Sequence, residues 1–148
     1  MAQYCTIAIG QAYFDERLNT DAWDGATDAD KNKALLMSTK RIERLNFLGV
    51  KYDDNQDLEF PRDDDTDVPA AIIYACCEEA LALLDDVDLE IETENQRMVS
   101  LGYGNIRETS DTSMVSPWVV AGISSVEAWR FLRAYLRGVK TVDVMRVS

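Results

Sequence analysis

The 148-residue chain reads as a mainly α protein: a small helical bundle with a long irregular or short-strand loop and an extended C-terminal strand or tail. Three observations predict this. Apolar residues recur at helical spacing in two long segments and one shorter C-terminal segment. Each of the three opens on a residue suited to cap a helix. Strand-like alternation occurs only in short pieces. With 47% hydrophobic residues the chain is globular in composition, and its length suits one domain with a modest core.

The expected domain comprises a helical body at about 7–87, a loop at 88–123, a C-terminal helix at 124–137 and a tail at 138–148. Residues 7–18, IAIGQAYFDERL, form a short helix with Ile9, Tyr13 and Arg17 on one face, although Gly10 weakens it. Thr20-Asp21 can cap a single turn that presents Trp23. The clearest helix follows in TDADKNKALLMSTKRIERLNFLG, where Thr27 and Asp30 have capping-box spacing and Leu35, Ser38, Ile42 and Leu45 share a stripe. Acids at its start and Lys40, Arg41 and Arg44 near its end suit the helix dipole, and Gly49 fits the position after its end.

Residues 50–67 form an acidic, irregular connection containing Pro61. A second strong helix is expected from about Val68 to Leu84, with Asp67 as N-cap, Pro69 in the first turn and Ile73, Cys76, Ala80, Leu83 and Val87 in one stripe that Cys77 and Leu84 widen. DVDLEIETE, at 86–94, alternates like a strand but is rich in poor strand formers, which predicts an extended edge or loop. Residues 96–122 lack strong periodicity, with two short strands expected near Met98–Leu101 and Met114–Val120. Ser124 and Glu127 then fit a capping box, Trp129, Leu132 and Leu136 line one face, and Gly138 stops the helix. In the tail, Val142, Val144 and Arg146 alternate with Thr141, Asp143 and Met145 as a short strand.

Composition argues against catalysis. The chain has no histidine, which removes the commonest general base and every Ser-His or Cys-His dyad. Its three cysteines, Cys5, Cys76 and Cys77, form no C-x-x-C and no disulfide framework, so they read as buried free thiols. The Walker pattern and G-x-G-x-x-G are both absent. Asp53, Asn55 and Asp57, and again Asp63, Asp65 and Asp67, have the early spacing of a calcium loop, but the required Gly and Glu are missing from both registers. The adjacent carboxylates Glu78-Glu79 and Asp85-Asp86 read as the polar side and end of an amphipathic helix. The expectation is a non-enzyme without cofactor, metal site or catalytic residue. No stretch reaches the length of a membrane span and the start lacks the pattern of an export signal, so a soluble, intracellular chain is expected.

The net charge of −12 is uneven: residues 1–95 hold 8 basic and 23 acidic side chains, residues 96–148 hold 7 and 4. Arg130, Arg133, Arg137 and Lys140 follow helical spacing as a basic stripe. The stripe reads as a solvated face, a dock for an acidic protein surface, or a phosphate contact. Long-range repulsion from the acidic body opposes tight DNA binding by a lone subunit.

The order of AYFDERL and DAW, KNKALLMSTKRIERLNFLGVK, LEFPRD, VPAAIIYACCEEALALL and AWRFLRAYL resembles the head–tail connector (adaptor) proteins of tailed phages, many of which carry the label DnaT-like single-stranded DNA-binding protein. The likeness is clearest over residues 8–87 and returns at 124–140, and the segment 88–122 departs from it. It implies a virion protein, made in the bacterial cytoplasm, that forms a homo-oligomeric, usually dodecameric ring in the neck beneath the portal. Such a ring extends the DNA channel and docks the next neck, stopper or tail protein. Packaged DNA passes without specific binding, and no membrane is involved. The resemblance places portal or partner docking on Arg130, Arg133, Arg137, Lys140, Val142, Val144 and Arg146. Asp63, Asp64 and Asp65 are then expected to line the channel or a subunit interface, since acidic surface lowers affinity for phosphate. The alternative is a DnaT-like single-stranded DNA-binding protein.

Overall fold

A computed structural model of the chain describes residues 2–102 and 115–138. Its helices are α1 (Ile7–Asp15), α2 (Asp21–Asp24), α3 (Asp28–Glu43), α4 (Ala70–Leu84), α5 (Leu89–Gly102), α6 (Pro117–Val120) and α7 (Val126–Leu132), the last running into a 3-10 turn at Arg133–Tyr135. Among the described residues, extended pairing is limited to two isolated antiparallel bridges, Phe47 with Leu136 and Lys51 with Arg62. The protein is mainly α, as its helical periodicities predict.

Helix α4 occupies the centre. Every residue from Ala75 to Leu81 is buried, because α3 and α7 pack on it and α1 and α2 add to the cover. A helix that is apolar nearly all round has to be enclosed in this way. The single stripe expected from sequence is therefore too narrow. The helix also starts at Ala70, with Pro69 at the N-cap and no side-chain cap bond, so the exposed Asp67 does not start it.

Local signals explain α1 to α3. Thr27 caps α3 by accepting from the Asp30 amide at 3.1 Å, as the capping-box spacing predicts. Leu35, Ser38 and Ile42 are all fully buried along one face, and the Ser38 hydroxyl donates to the Cys76 carbonyl of α4 at 2.7 Å. Helix α3 ends at Glu43, well before Gly49, which instead takes φ +79 in the following loop. Helix α1 stops at Asp15 rather than Leu18. Gly10 weakens it by propensity and is needed by packing, because a Cβ there would press against the ring of fully buried Trp23.

The largest departure lies after α4. Residues 89–94 of the segment expected to be extended, and the strand expected near Met98–Leu101, belong to α5, and 86–88 precede it. Its start has a clear cause: the Asp88 carboxylate accepts from the Glu90 amide at 2.8 Å, and Glu90 and Glu92 sit in the first turn, where negative charge is favourable. The second expected strand has its described end in α6, and Met114 lies outside the described residues. The C-terminal helix also differs, covering Val126–Leu132 before the 3-10 turn. Its N-cap is Ser125, which accepts from the Ala128 amide at 3.1 Å, one residue later than expected.

Candidate functional site

The acidic pair of α4 is internal. Glu79 is fully buried, and Glu78 is 4% exposed. Two unpaired carboxylates at such depth would be prohibitive, so each must find charged or hydrogen-bonding partners. Glu79 receives Arg41 Nη1 at 2.6 Å, the Ser124 amide at 3.0 Å and hydroxyl at 2.8 Å, and the Ser125 amide at 2.9 Å. One side chain thus ties α3, α4 and the start of α7 together. Glu78 receives Arg17 in a two-pronged pair, Nε at 2.7 Å and Nη2 at 3.0 Å, and also the Tyr13 hydroxyl. Burial, and then the bond to Glu78, push the Tyr13 phenol well above its ordinary pKa, so it stays a donor.

This corrects the reading of Glu78-Glu79 as a polar helix face. The signal that could have found it is the helix itself: AAIIYACCEEALALL has no other charge, and both acids sit where the chain is otherwise apolar. Arg41, read as a complement to the dipole, is committed to the interior in the same way.

A second polar knot holds the loop after α3. Phe60 is buried against Phe47, Tyr4 and Tyr135, with ring centroids 4.7 Å, 6.3 Å and 5.6 Å away. The Phe60–Pro61 peptide is cis. Arg62 is buried beside the Phe47 and Phe60 rings and donates to the carbonyls of Leu48 and Gly49 and to the Glu59 carboxylate. Glu43 accepts from the Tyr4 hydroxyl and from the Glu59 amide at 3.0 Å. Desolvation raises the Glu43 carboxyl above its usual range, against the lowering effect of those two bonds.

Asp63 belongs to this knot. It is exposed with φ +56, yet its carboxylate accepts from the Val50 amide at 3.1 Å while its own amide donates to the Val50 carbonyl at 2.8 Å. Asp64 and Asp65 are exposed. So of the three aspartates singled out by sequence, one closes a turn and two face solvent.

The predicted basic stripe is divided. Arg130 is exposed and pairs with Glu127, one turn back, at 2.6 Å. Arg133 is exposed in the 3-10 turn. Arg137 reaches the carbonyls of Phe47 at 3.3 Å and Gly49 at 3.4 Å, so it fastens the C-terminal turn to the loop after α3. Lys140, Val142, Val144 and Arg146 lie outside the described residues. Beside Arg137, the loop after α3 exposes Leu48, Val50 and Tyr52 by 49%, 69% and 53%. Lying in a loop, these three residues carry no periodicity that marks them in the sequence.

All three cysteines are buried free thiols, as expected. Cys5 and Cys77 lie 3.2 Å apart, sulfur to sulfur. Burial pushes the Cys76 thiol up to about 11, so it is protonated and unreactive at neutral pH. Among the described residues no group of three or more His, Cys, Asp or Glu side chains is placed to hold a metal ion, and no helix is long and apolar enough to cross a membrane. The buried carboxylates and arginines described above are bonded to groups of the same chain.

Residues 2–136 match the family model described as "Putative DnaT-like ssDNA binding protein". No curated protein and no solved structure matches the chain. The match spans most of the sequence, from ahead of α1 to the end of the 3-10 turn, and the chain belongs to this family.

Proposed function

We propose that this DnaT-like family member is a structural subunit, a head–tail adaptor that assembles as a ring beneath the portal of a tailed phage and extends the DNA channel. The observation that carries this reading is the fate of the positive charge. Arg17, Arg41 and Arg62 are used by carboxylates of the same chain, and Arg137 by backbone carbonyls. Asp64 and Asp65 remain exposed in a chain of net charge −12. Affinity for a polyphosphate depends on accessible Lys and Arg that displace counterions. The exposed cations among the described residues, Lys33, Lys40, Arg44, Arg130, Arg133 and Arg137, are outnumbered by exposed carboxylates, and a surface with that balance suits a conduit that lets DNA pass. Arg130 and Arg133, with the exposed apolar side chains of Leu48, Val50 and Tyr52, supply docking groups for protein partners: a neighbouring subunit, the portal, and the next neck, stopper or tail protein. The tail residues Lys140, Val142, Val144 and Arg146, outside the described residues, are assigned to partner docking by addition to a partner's sheet edge. The reading assigns no catalysis or cofactor and places the protein in the virion neck.

The family description supports a second reading directly, single-stranded DNA binding, and says nothing of a virion or a ring. Stacking aromatics beside cations would be needed for it. Tyr74, half-exposed and stacked on Tyr13 at 5.0 Å with Phe131 at 5.8 Å, is the nearest approach to such a platform.

One experiment separates the two. The full chain is run by light scattering alone, with a portal protein from the same genome, and with a single-stranded oligonucleotide. A ring-sized complex with portal, weakened by Arg130→Glu/Arg133→Glu and by Val142→Asp/Val144→Asp, establishes the adaptor. Binding to the oligonucleotide that falls steeply with salt, without any portal complex, establishes the second reading.

A further inference from the structure

A groove of about 550 Å³ runs along the outer side of α3. Its apolar wall is Ala2, Leu36 and Leu58, and Lys40 and Arg44 stand one helical turn apart on its rim. Neither cation forms an ion pair or a side-chain hydrogen bond among the described residues, and both are exposed. Two acids also border the groove. Glu43 is turned to the Tyr4 hydroxyl and the Glu59 amide, and Asp57 is exposed at the edge.

Helix α5 carries the opposite surface. It exposes Ile91 and Met98, two turns apart, by 59% and 64%. Glu90 and Glu94, also exposed, flank that apolar row at a spacing of four. Within the chain α5 packs on α6, and α3 is not among its main contacts. Among the described residues, an apolar row with carboxylates beside it is thus unpartnered on one element, and an apolar groove with unpaired cations is unpartnered on another. Their lengths agree: Ile91 to Met98 spans about 10 Å of helix and Leu36 to Arg44 about 12 Å.

We propose that α5 of one copy docks in the α3 groove of a second copy, Ile91 and Met98 against Leu36 and Leu58, and Glu90 and Glu94 against Lys40 and Arg44. The two surfaces are different, so the contact is head-to-tail and propagates into a ring or a filament. This deepens the ring reading by naming the subunit contact. It can also fail alone, since a ring could form through other surfaces.

The test uses two charge-reversed full-length chains, Lys40→Glu/Arg44→Glu and Glu90→Lys/Glu94→Lys, in sedimentation velocity at low salt. The wild type is expected to self-associate and each variant to be monomeric. An equimolar mixture is expected to associate again, because each groove then meets a helix of opposite charge. Restored association also shows that both variants are folded. The contact is refuted by a wild type that stays monomeric, by a variant that associates like wild type, or by a mixture of folded variants that stays monomeric. If a reversed chain loses its far-UV helix signal, Lys40→Gln/Arg44→Gln takes its place, with association at least about tenfold weaker expected for a lost pair of charge contacts. Unchanged association of that variant refutes the contact too. A ring with portal that persists in the charge-reversed chains refutes the contact and leaves the adaptor reading standing.

Discussion

Glu78-Glu79 in α4 and Asp63-Asp64-Asp65 in the turn after Pro61 are both runs of adjacent carboxylates, and folding treats them oppositely. The glutamates are withdrawn from water and surrounded by arginine, tyrosine and serine donors from α1, α3 and the start of α7. Of the aspartates, among the described residues only the Asp63 side chain finds a partner, a backbone amide of its own loop, and Asp64 and Asp65 are exposed. The same functional group is therefore an internal fastener in one place and surface charge in the other. What differs is the apolar content of the flanking sequence, which decides whether a segment is buried with its charges or left out with them.

The strongest way to break the comparison is Glu79→Ala. It leaves Arg41 and the Ser124 and Ser125 amides facing a buried gap, and we expect a loss of about 3–5 kcal/mol in urea unfolding. A loss below about 1 kcal/mol, the range of an exposed pair, would mean that the carboxylate is not the fastener described. Next comes Gly49→Ala, which combines a positive φ with a Cβ pressed into the Asp63 carboxylate. About 1–2 kcal/mol should be lost, and an unchanged thermal midpoint would contradict this geometry.

Glu43 sharpens the comparison through pH. Its folded carboxyl titrates above the ordinary range, chiefly through desolvation. Between the unfolded pKa and the raised folded one, the native state holds more protons, so this group's contribution falls as pH rises through that window and levels off above it. Glu43→Gln should flatten that part of the stability profile, and wild-type and variant curves that stay parallel across it would show that Glu43 titrates normally. The smallest effect is expected at the surface aspartates. Asp64→Asn/Asp65→Asn should change unfolding free energy by no more than about 0.5 kcal/mol. A larger loss in the isolated protein would give these residues an intramolecular role.

Much of this was legible in residue patterns. The cap at Thr27, the buried face of Leu35, Ser38 and Ile42, the single turn carrying Trp23 and the buried free thiols all rest on local spacing or on the absence of any alternative partner. Helix α5 was missed because acidic and apolar residues alternate there, and a period of two outweighed the cap that Asp88 provides. The candidate site was less legible. Arg137 looked like one more member of a basic stripe until the bridge between Phe47 and Leu136 brought it against the 47–49 carbonyls.

The sequence by itself determined a mainly helical chain, where its strongest helices fall, the lack of histidine chemistry and the excess of acid over base. These depend on side-chain type and on neighbours within a turn or two, which a linear pattern records. Only the tertiary structure decided which charges are paired inside and which remain exposed. Glu79 and Arg41 are 38 residues apart, and Glu79 and Ser124 are 45 apart. A carboxylate's role is set by what desolvates and pairs it, and those partners are assembled only when distant helices pack.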